Sequence, residues 1–456
     1  MSNMSAVILA AGEGKRMKSN KSKVLHAVAG KTLVDWVYDA VKAAGVEQIA
    51  VVVGHKADQV TAHMAGKVSF PMQKEQLGTG HAVVQALPFL PTEGHIIILA
   101  GDTPLITSQT IKAALQAHEM ANNAATVITV DLKDPTGYGR IIRDASGNVQ
   151  KIVEHKDCTE SQLTVTEINS GIYCFEAQAL IHSLSQVTNQ NAQGEYYLTD
   201  TLEILIQQNM QVQAFKIEDD EQLLGINNRI QLAQAECIMR KRIVHKLMED
   251  GVTVIDPNTT YVAATVSIGM DTVLYPGCVL EGNTTIGEDC QIGPNARLVN
   301  ATIKNDVEVQ YSVVLDSEID EQTHVGPYAY VRPGCLIGKR VKIGDFVEVK
   351  KAIIGDDTKL SHLTYVGDAT LGKRVNMGCG TVTVNYDGKN KFQTIVEDDA
   401  FVGCNTNLLA PVTVGKGAYI AAGSTITDNV PSEALAIARA RQTVKDGWAK
   451  GKTKNT

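Results

Sequence analysis

Two different spacings of apolar residues divide the chain. Over residues 1–225, short aliphatic runs alternate with helical patterns. Ala6–Leu9, Ile49–Val53 and Ile96–Leu99 are unbroken apolar runs of strand length, and Leu33–Val41 carries apolar residues at helical spacing. Buried strands alternating with helices predict an α/β unit with a mostly parallel sheet covered on both faces. The stretch from Gly139 to Glu154 reads as a hairpin turning at Ala145-Ser146-Gly147-Asn148. Residues 227–250 read as a single helix stopped by Gly251, with Ile230, Ala233, Cys237, Val244 and Met248 near one face. Such a helix would be an arm between two bodies.

Beyond Gly251 the spacing becomes six. Ile268, Leu274, Leu280, Ile286, Ile292 and Leu298 keep it, and after a slip it returns at Val313, Ile319, Val325, Val331, Ile337, Ile343 and Val349. Ile354, Leu360 and Val366 follow, then Val402, Leu408, Val414, Ile420 and Ile426. A helix cannot use this spacing, because six residues carry a side chain to another face. Three short parallel strands per coil can, each turning one aliphatic inward, which is the hexapeptide signature of a parallel β-helix. About 180 residues at roughly 18 per coil predict about ten coils. The expected divisions are 1–226, 227–250 and 251–456.

Length and composition narrow the class. At 456 residues the chain is long enough for about three compact units. Lys and Arg total 42 against 50 Asp and Glu, and the resulting −8 argues against broad binding to nucleic acid or anionic membrane. No apolar run approaches the ~18 residues that would span a bilayer. Charged residues follow Ala6–Ala11 too soon for a secretory signal. Eight cysteines show no C-x-x-C pair, so a reduced cytosol is expected.

Candidate chemistry lies where these patterns break. Leu9-Ala10-Ala11-Gly12-Glu13-Gly14-Lys15-Arg16-Met17 follows the first strand, with Lys23 shortly after. Glycines there let backbone N–H groups approach a polyphosphate while Arg and Lys supply countercharge. Met17 replaces the third glycine of a dinucleotide loop, and no Gly-Lys-Ser/Thr ends a Walker loop. A plain turn with solvated cations remains equally open. Ala100-Gly101-Asp102 follows the third strand; Asp102 suits Mg²⁺ at a strand's carboxyl end, or capping of a helix from Ile106. Gln73–Ala82 offers amides beside a Gly-rich turn, and Asn191–Asp200 is polar and aromatic before a helix. In the second half, Arg332 and Lys350 lie one coil apart and would share a phosphate. His362 suits proton removal from an amine near neutral pH. The Asn385-Tyr386-Asp387-Gly388 loop interrupts the repeat, as binding loops of solenoids do.

The first-half motifs together resemble those of sugar-nucleotide pyrophosphorylases. With the hexapeptide half attached, the whole chain resembles the bacterial bifunctional N-acetylglucosamine-1-phosphate uridyltransferases/glucosamine-1-phosphate acetyltransferases. The resemblance implies a Rossmann-like nucleotidyltransferase domain joined by a long helix to a left-handed β-helix. It implies UTP bound along Leu9, Ala10, Ala11, Gly12, Ala100 and Gly101, with Arg16 and Lys23 as catalytic cations on the phosphates. Gln73, Gly78 and Thr79 would contact uracil and ribose, Asp102 and Asn227 would hold Mg²⁺, and Gly139, Glu154 and Asn169 would contact N-acetylglucosamine. Arg332, Lys350, Tyr365, Asn376 and Asn385 would bind glucosamine-1-phosphate, with Tyr386 between the two substrates and His362 as general base. Cys379, Lys391, Cys404, Ala422 and Arg439, with Asn385 and Tyr386, would line the acetyl-CoA site.

The resemblance also implies a cytoplasmic homotrimer with acetyl-transfer sites between subunits; the tail from Pro431 to Thr456 would reach a neighbour's coenzyme, or its basic end would simply be solvated. Lys15 stands where such enzymes usually have Thr or Ser, and Ser22 where proline precedes the lysine, which should loosen that turn. Cys379 and Cys404 replace the commoner Ala and Ser. Neither thiol has an activating base evident in sequence, so no acyl-enzyme is expected. Two rival readings are a nucleotidyltransferase with a merely regulatory β-helix and a non-enzymatic hexapeptide scaffold. His362 with its loop weighs against the first, and the Gly12–Arg16 loop with Asp102 against the second.

Overall fold

The computed structural model describes residues 4–450 and 452; Lys454 of the basic tail lies outside them. The chain forms two compact units rather than three, dividing between Met239 and Arg240. That division falls inside the helix Arg229–Glu249, which carries the chain from one unit into the next and builds no body of its own.

The first unit is built on a mixed sheet in the order Val212–Lys216, Ala125–Asp131, Glu167–Glu176, His95–Ala100, Met4–Ala10, Gln48–Val53. The three aliphatic runs expected to be strands lie side by side in parallel, Met4–Ala10 between the other two, and Val212–Lys216 is likewise parallel to Ala125–Asp131. Glu167–Glu176 is antiparallel to both its neighbours. The expected hairpin is Arg140–Arg143 against Val149–Val153, turning through Asp144 to Asn148. Ile8, Ile97 and Val51 face one core and Val7, Ile98 and Val52 the other, because alternate residues of a strand point to opposite faces. The helix Leu33–Ala43 buries Val34, Val37 and Val41 at helical spacing and is capped by the Thr32 hydroxyl.

The second unit is a left-handed parallel β-helix. Among the described residues three sheets of eleven, ten and nine strands form its faces, beginning at Thr253–Val254, Tyr261–Val262 and Ser267–Ile268. Every strand pairs in parallel with the equivalent strand of the next coil, and the inward aliphatics form one continuous core. Burying each large aliphatic contributes roughly 1.5–3 kcal/mol. One glycine shows how closely the coils approach: a Cβ on Gly344 would lie 2.0 Å from the Ser361 carbonyl oxygen of the next coil.

Two details depart from the sequence reading. The inward residue after the slip is Val314, fully buried, while Val313 is partly exposed. The side from Val314 to Ile319 is therefore one residue short, with Asp316 taking a positive φ of 42° at the corner. In the arm helix, Ile230 is 72% exposed and Met248 is also exposed, while Ala235, Met239 and Val244 are buried. A helix divided between two units does not keep one apolar face along its length.

Candidate active sites

In the first unit a cavity of about 280 Å³ opens at the carboxyl ends of the parallel strands. Leu9, Ala10, Ala11 and Gly12 of the first loop border it, with Ala100 and Asp102 from the third strand's end. Gln73, Gly78 and Thr79 close another side, and Lys23 projects into it. Gly101 lies beneath, its N–H donating to the Leu9 carbonyl at 2.9 Å. Arg16 sits exposed on the short helix Lys15–Met17 and is not part of the lining.

Lys23 is the partner of Asp102. Its ammonium donates to the Asp102 carboxylate and, at 3.3 Å, to Asn227 Oδ1. The helix that Asp102 was expected to cap starts later, at Ser108, under the Thr107 hydroxyl. Asp102 thus faces the pocket and, with Asn227, already holds a cation between two oxygens. The Ile226 N–H donates to the Asp102 carbonyl at 2.9 Å, which ties the Asn227 segment to this strand end.

The two polar segments singled out in sequence are joined to each other. Tyr196 N–H donates to Leu77 O, and Gly80 N–H to Tyr196 O, both at 2.8 Å. Leu198 N–H donates to Thr79 Oγ1 at 3.1 Å. Gln73 is buried and donates from Nε2 to the Gly78 carbonyl at 3.0 Å, which holds its amide at the pocket edge. Gly139, Glu154 and Asn169 cluster as well: the Asn169 N–H donates to the Gly139 carbonyl at 2.8 Å. A Cβ on Gly139 would lie 3.4 Å from Glu154 Oε1. Burial raises the Glu154 carboxyl above its ordinary value, and Asp157 and Asp200 add to the effect. Asn169 Oδ1 accepts from Tyr173 OH at 2.9 Å.

Of the two departures in this loop, Lys15 pairs with Glu13 at 2.5 Å. Ser22 does not simply loosen its turn. Its N–H, which a proline would lack, donates to Gln59 Oε1 at 2.9 Å.

In the second unit Arg332, Lys350 and Tyr365 stand on one face of the prism, and Val331 pairs with Val349, so the two cations are one coil apart. They do not share a counterion. Arg332 donates to Glu348 at 2.7 Å, while Lys350 donates to Asp368 at 3.2 Å. Asp368 also accepts from Asn385 Nδ2, so one carboxylate positions two candidate sugar-phosphate ligands. Lys350 lies beside Lys391, whose ammonium it pushes below the ordinary lysine value. Two adjacent ammonium groups make a site for a doubly charged anion. Tyr386 and Lys391 bridge across the Asn385–Phe392 loop, and the Phe392 N–H donates to Asn385 O at 2.9 Å. Asn376 stands on the adjoining face, opposite Lys359 and Phe401.

His362 ends the strand Lys359–His362, and its Nδ1 is 2.7 Å from Asp345 Oδ1, one coil earlier. An ionised carboxylate only accepts, so Nδ1 carries the hydrogen and the Nε2 lone pair is free to take a proton. The bond to His362 holds the Asp345 carboxyl below its ordinary range. Cys379, Cys404 and Ala422 occupy the same position on the next three coils, two residues beyond Met377, Val402 and Ile420. Arg439 reaches this column, with Cδ 3.9 Å from where a Cβ of Gly423 would be. Asp345, Glu348 and Asp368 escaped the sequence reading; a carboxylate 16–18 residues from a candidate cation was the available signal.

Comparison with known proteins assigns each half to a family. Residues 5–221 match the Nucleotidyl transferase family, and residues 265–300, 316–351 and 393–428 match the Bacterial transferase hexapeptide (six repeats) family. The chain is 58% identical over 449 residues to Bifunctional protein GlmU of Acetivibrio thermocellus, covering 98% of this chain and 97% of that protein. The chain belongs to the bifunctional GlmU family. GlmU proteins of Halalkalibacterium halodurans and Thermoanaerobacter pseudethanolicus are each 54% identical, covering 98% and 100% of this chain and 99% of either relative. Like GlmU, the chain is an enzyme of two activities, a uridyltransferase in its nucleotidyltransferase half and an acetyltransferase in its hexapeptide half. Among the described residues no helix is long and apolar enough to cross a membrane.

Proposed function

We propose that the second unit acetylates glucosamine-1-phosphate from acetyl-CoA and that the first couples the N-acetylglucosamine-1-phosphate formed to UTP. The observation that carries the uridylyl step is the convergence of Lys23, Asp102, Gln73 and Gly78 on one pocket. A sugar-1-phosphate oxygen attacks the α-phosphorus in line and pyrophosphate leaves. Lys23 and Arg16 neutralise the phosphates, Gln73 with Gly78 and Thr79 holds the base and ribose, and Glu154 with Asn169 and Gly139 orients the sugar. No covalent nucleophile is required, because positioning and charge stabilisation supply the catalysis. The oxygens of Asp102 and Asn227 already converge on an ammonium group, and this donor set fits Mg²⁺. Bound there, Mg²⁺ would screen the substrate phosphates.

In the acetyl step, His362 Nε2 takes a proton as the sugar amine attacks the thioester carbonyl, and the coenzyme thiolate leaves. Asp345 holds the imidazole in the required tautomer. Lys350 and Arg332 face the sugar phosphate, with Tyr365, Asn376 and Asn385 on the sugar. Tyr386 stands between the substrates, and the column of Cys379, Cys404 and Ala422, with Lys391 and Arg439, faces the coenzyme, Lys391 standing beside Lys350.

The working form is a homotrimer with acetyl-transfer sites between subunits. Its support is that Asn376 stands on a different face from Arg332, Lys350 and Tyr365, and that Tyr311, Tyr328 and Phe346 form an exposed ladder along one corner. Centroid spacings in the ladder are 5.6 and 5.5 Å. Eight unbonded cysteines suit a cytoplasmic setting. The purified chain is tested with glucosamine-1-phosphate, acetyl-CoA, UTP and Mg²⁺, omitting one at a time. UDP-N-acetylglucosamine should need all four, and omission of UTP should leave the acetylated sugar phosphate. A nucleotide sugar formed without acetyl-CoA would refute the order.

A further inference from the structure

Cys379 and Cys404 face each other across consecutive coils. Met377 is in register with Val402, and each cysteine lies two residues further on. Asn405 N–H donates to the Cys379 carbonyl at 2.7 Å, so the register holds through the corner. Neighbouring strands lie about 4.8 Å apart, and a disulfide needs a Cα separation of roughly 4.4–6.8 Å. Cys404 is exposed, Cys379 is partly exposed, and neither is bonded. The other cysteines of this unit differ. Cys278, Cys290 and Cys335 are buried, each S–H is directed at a backbone carbonyl, and burial raises each thiol above its ordinary value.

His362 occupies the equivalent position one coil before Cys379, since Leu360 is in register with Met377. The column therefore runs from a histidine held by Asp345 to two accessible thiols in succession.

We propose that Cys379 and Cys404 form a dithiol that exchanges with small-molecule disulfides and, once closed, stops acetyl transfer while leaving uridylyl transfer running. The Cys404 thiolate attacks one sulfur of the small disulfide, whose S–S bond breaks and releases a first thiol. Cys379, its proton passed to the neighbouring imidazole or to water, then attacks the Cys404 sulfur and releases a second thiol. In sum, two protein thiols lose two electrons and two protons, and one small disulfide becomes two thiols. The closed pair pins two coils together beside the imidazole and removes both S–H groups from the face offered to the coenzyme. This consequence rests on placing the acetyl-transfer centre at His362.

The full-length chain, first reduced, is exposed to oxidised glutathione, mapped as peptides without reduction, and assayed for both activities. The expected result is a peptide pair linked through Cys379 and Cys404, loss of acetyl transfer recovered with dithiothreitol, and unchanged uridylyl transfer. In Cys379→Ala and in Cys404→Ser, whatever their starting rates, the oxidised and reduced acetyl-transfer rates should become equal. Glutathione adducts without the cross-link, or inhibition that persists in both variants, would overturn the proposal. A cross-link with undiminished acetyl transfer would instead remove this column from the acetyl-transfer centre.

Discussion

Gly78 and Tyr196 meet so closely that a side chain on the glycine would collide with the tyrosine backbone. A Cβ there would lie 2.5 Å from Tyr196 O and 2.8 Å from its nitrogen, and Gly78 holds a φ of 112°. This contact joins the Gln73–Ala82 segment to the Asn191–Asp200 segment at the nucleotide pocket. Gly78→Ala should therefore separate them, at a cost of roughly 1–3 kcal/mol. Uridylyl transfer should fall with a raised KM for UTP while acetyl transfer on the same preparation is retained. Equal loss of both would mean that the substitution unfolds more than the pocket.

Asp102→Ala removes one of the two oxygens that converge on Lys23. Mg²⁺-dependent uridylyl transfer should be abolished and acetylation should persist. An unaltered Mg²⁺ titration would remove Asp102 from the proposed metal site.

His362→Ala should lower acetyl transfer by ~10²–10⁴-fold, the usual contribution of a positioned general base, without touching uridylyl transfer. Asp345→Asn keeps the size of the partner but withdraws the carboxylate that holds Nδ1–H. It should lower kcat for acetyl transfer more than it raises KM, because the imidazole loses the partner that fixes its tautomer and orientation. An unchanged kcat would make Asp345 a bystander.

Asp368 ties Lys350 and Asn385 together from a position that the sugar phosphate need not touch. With Asp368→Ala both ligands lose their anchor, and the KM for glucosamine-1-phosphate should rise by ~10–100-fold, matching a charged hydrogen bond worth about 1.5–3 kcal/mol. The KM for acetyl-CoA should change far less.

His118 supplies a pH test of the first unit's stability. It is fully buried, its Nδ1 lies 2.9 Å from Thr126 Oγ1, and its ring meets that of His95 edge-on at 5.0 Å. Burial, followed by the His95 charge, pushes its pKa down to about 4. The unfolded chain therefore binds more protons than the folded one between that value and the ordinary ~6.5. Stability from a neutral His118 is complete above ~6.5 and is lost as the pH falls through this window, by roughly 3 kcal/mol in all. His118→Gln should flatten the fall in melting temperature between pH 7 and pH 5, and an unchanged slope would assign the acid sensitivity elsewhere.

The amino-acid pattern by itself determined the two kinds of body, because strand-length aliphatic runs and a six-residue spacing each admit few folded solutions. It also singled out candidate residues, Gly12, Asp102 and Asn385 because they stand where the repeating patterns stop, and His362 by the chemistry of its side chain. Tertiary structure alone decided the partners. Lys23 meets Asn227 across 204 residues, and Asp368 serves Lys350 and Asn385 from the neighbouring coil. It also decided that Val314 rather than Val313 turns inward and that the arm helix buries Ala235 rather than Ile230. Periodicity records which residues avoid water. Which charged or polar group answers another depends on strand register and chain return, and these exist only once the whole chain has packed.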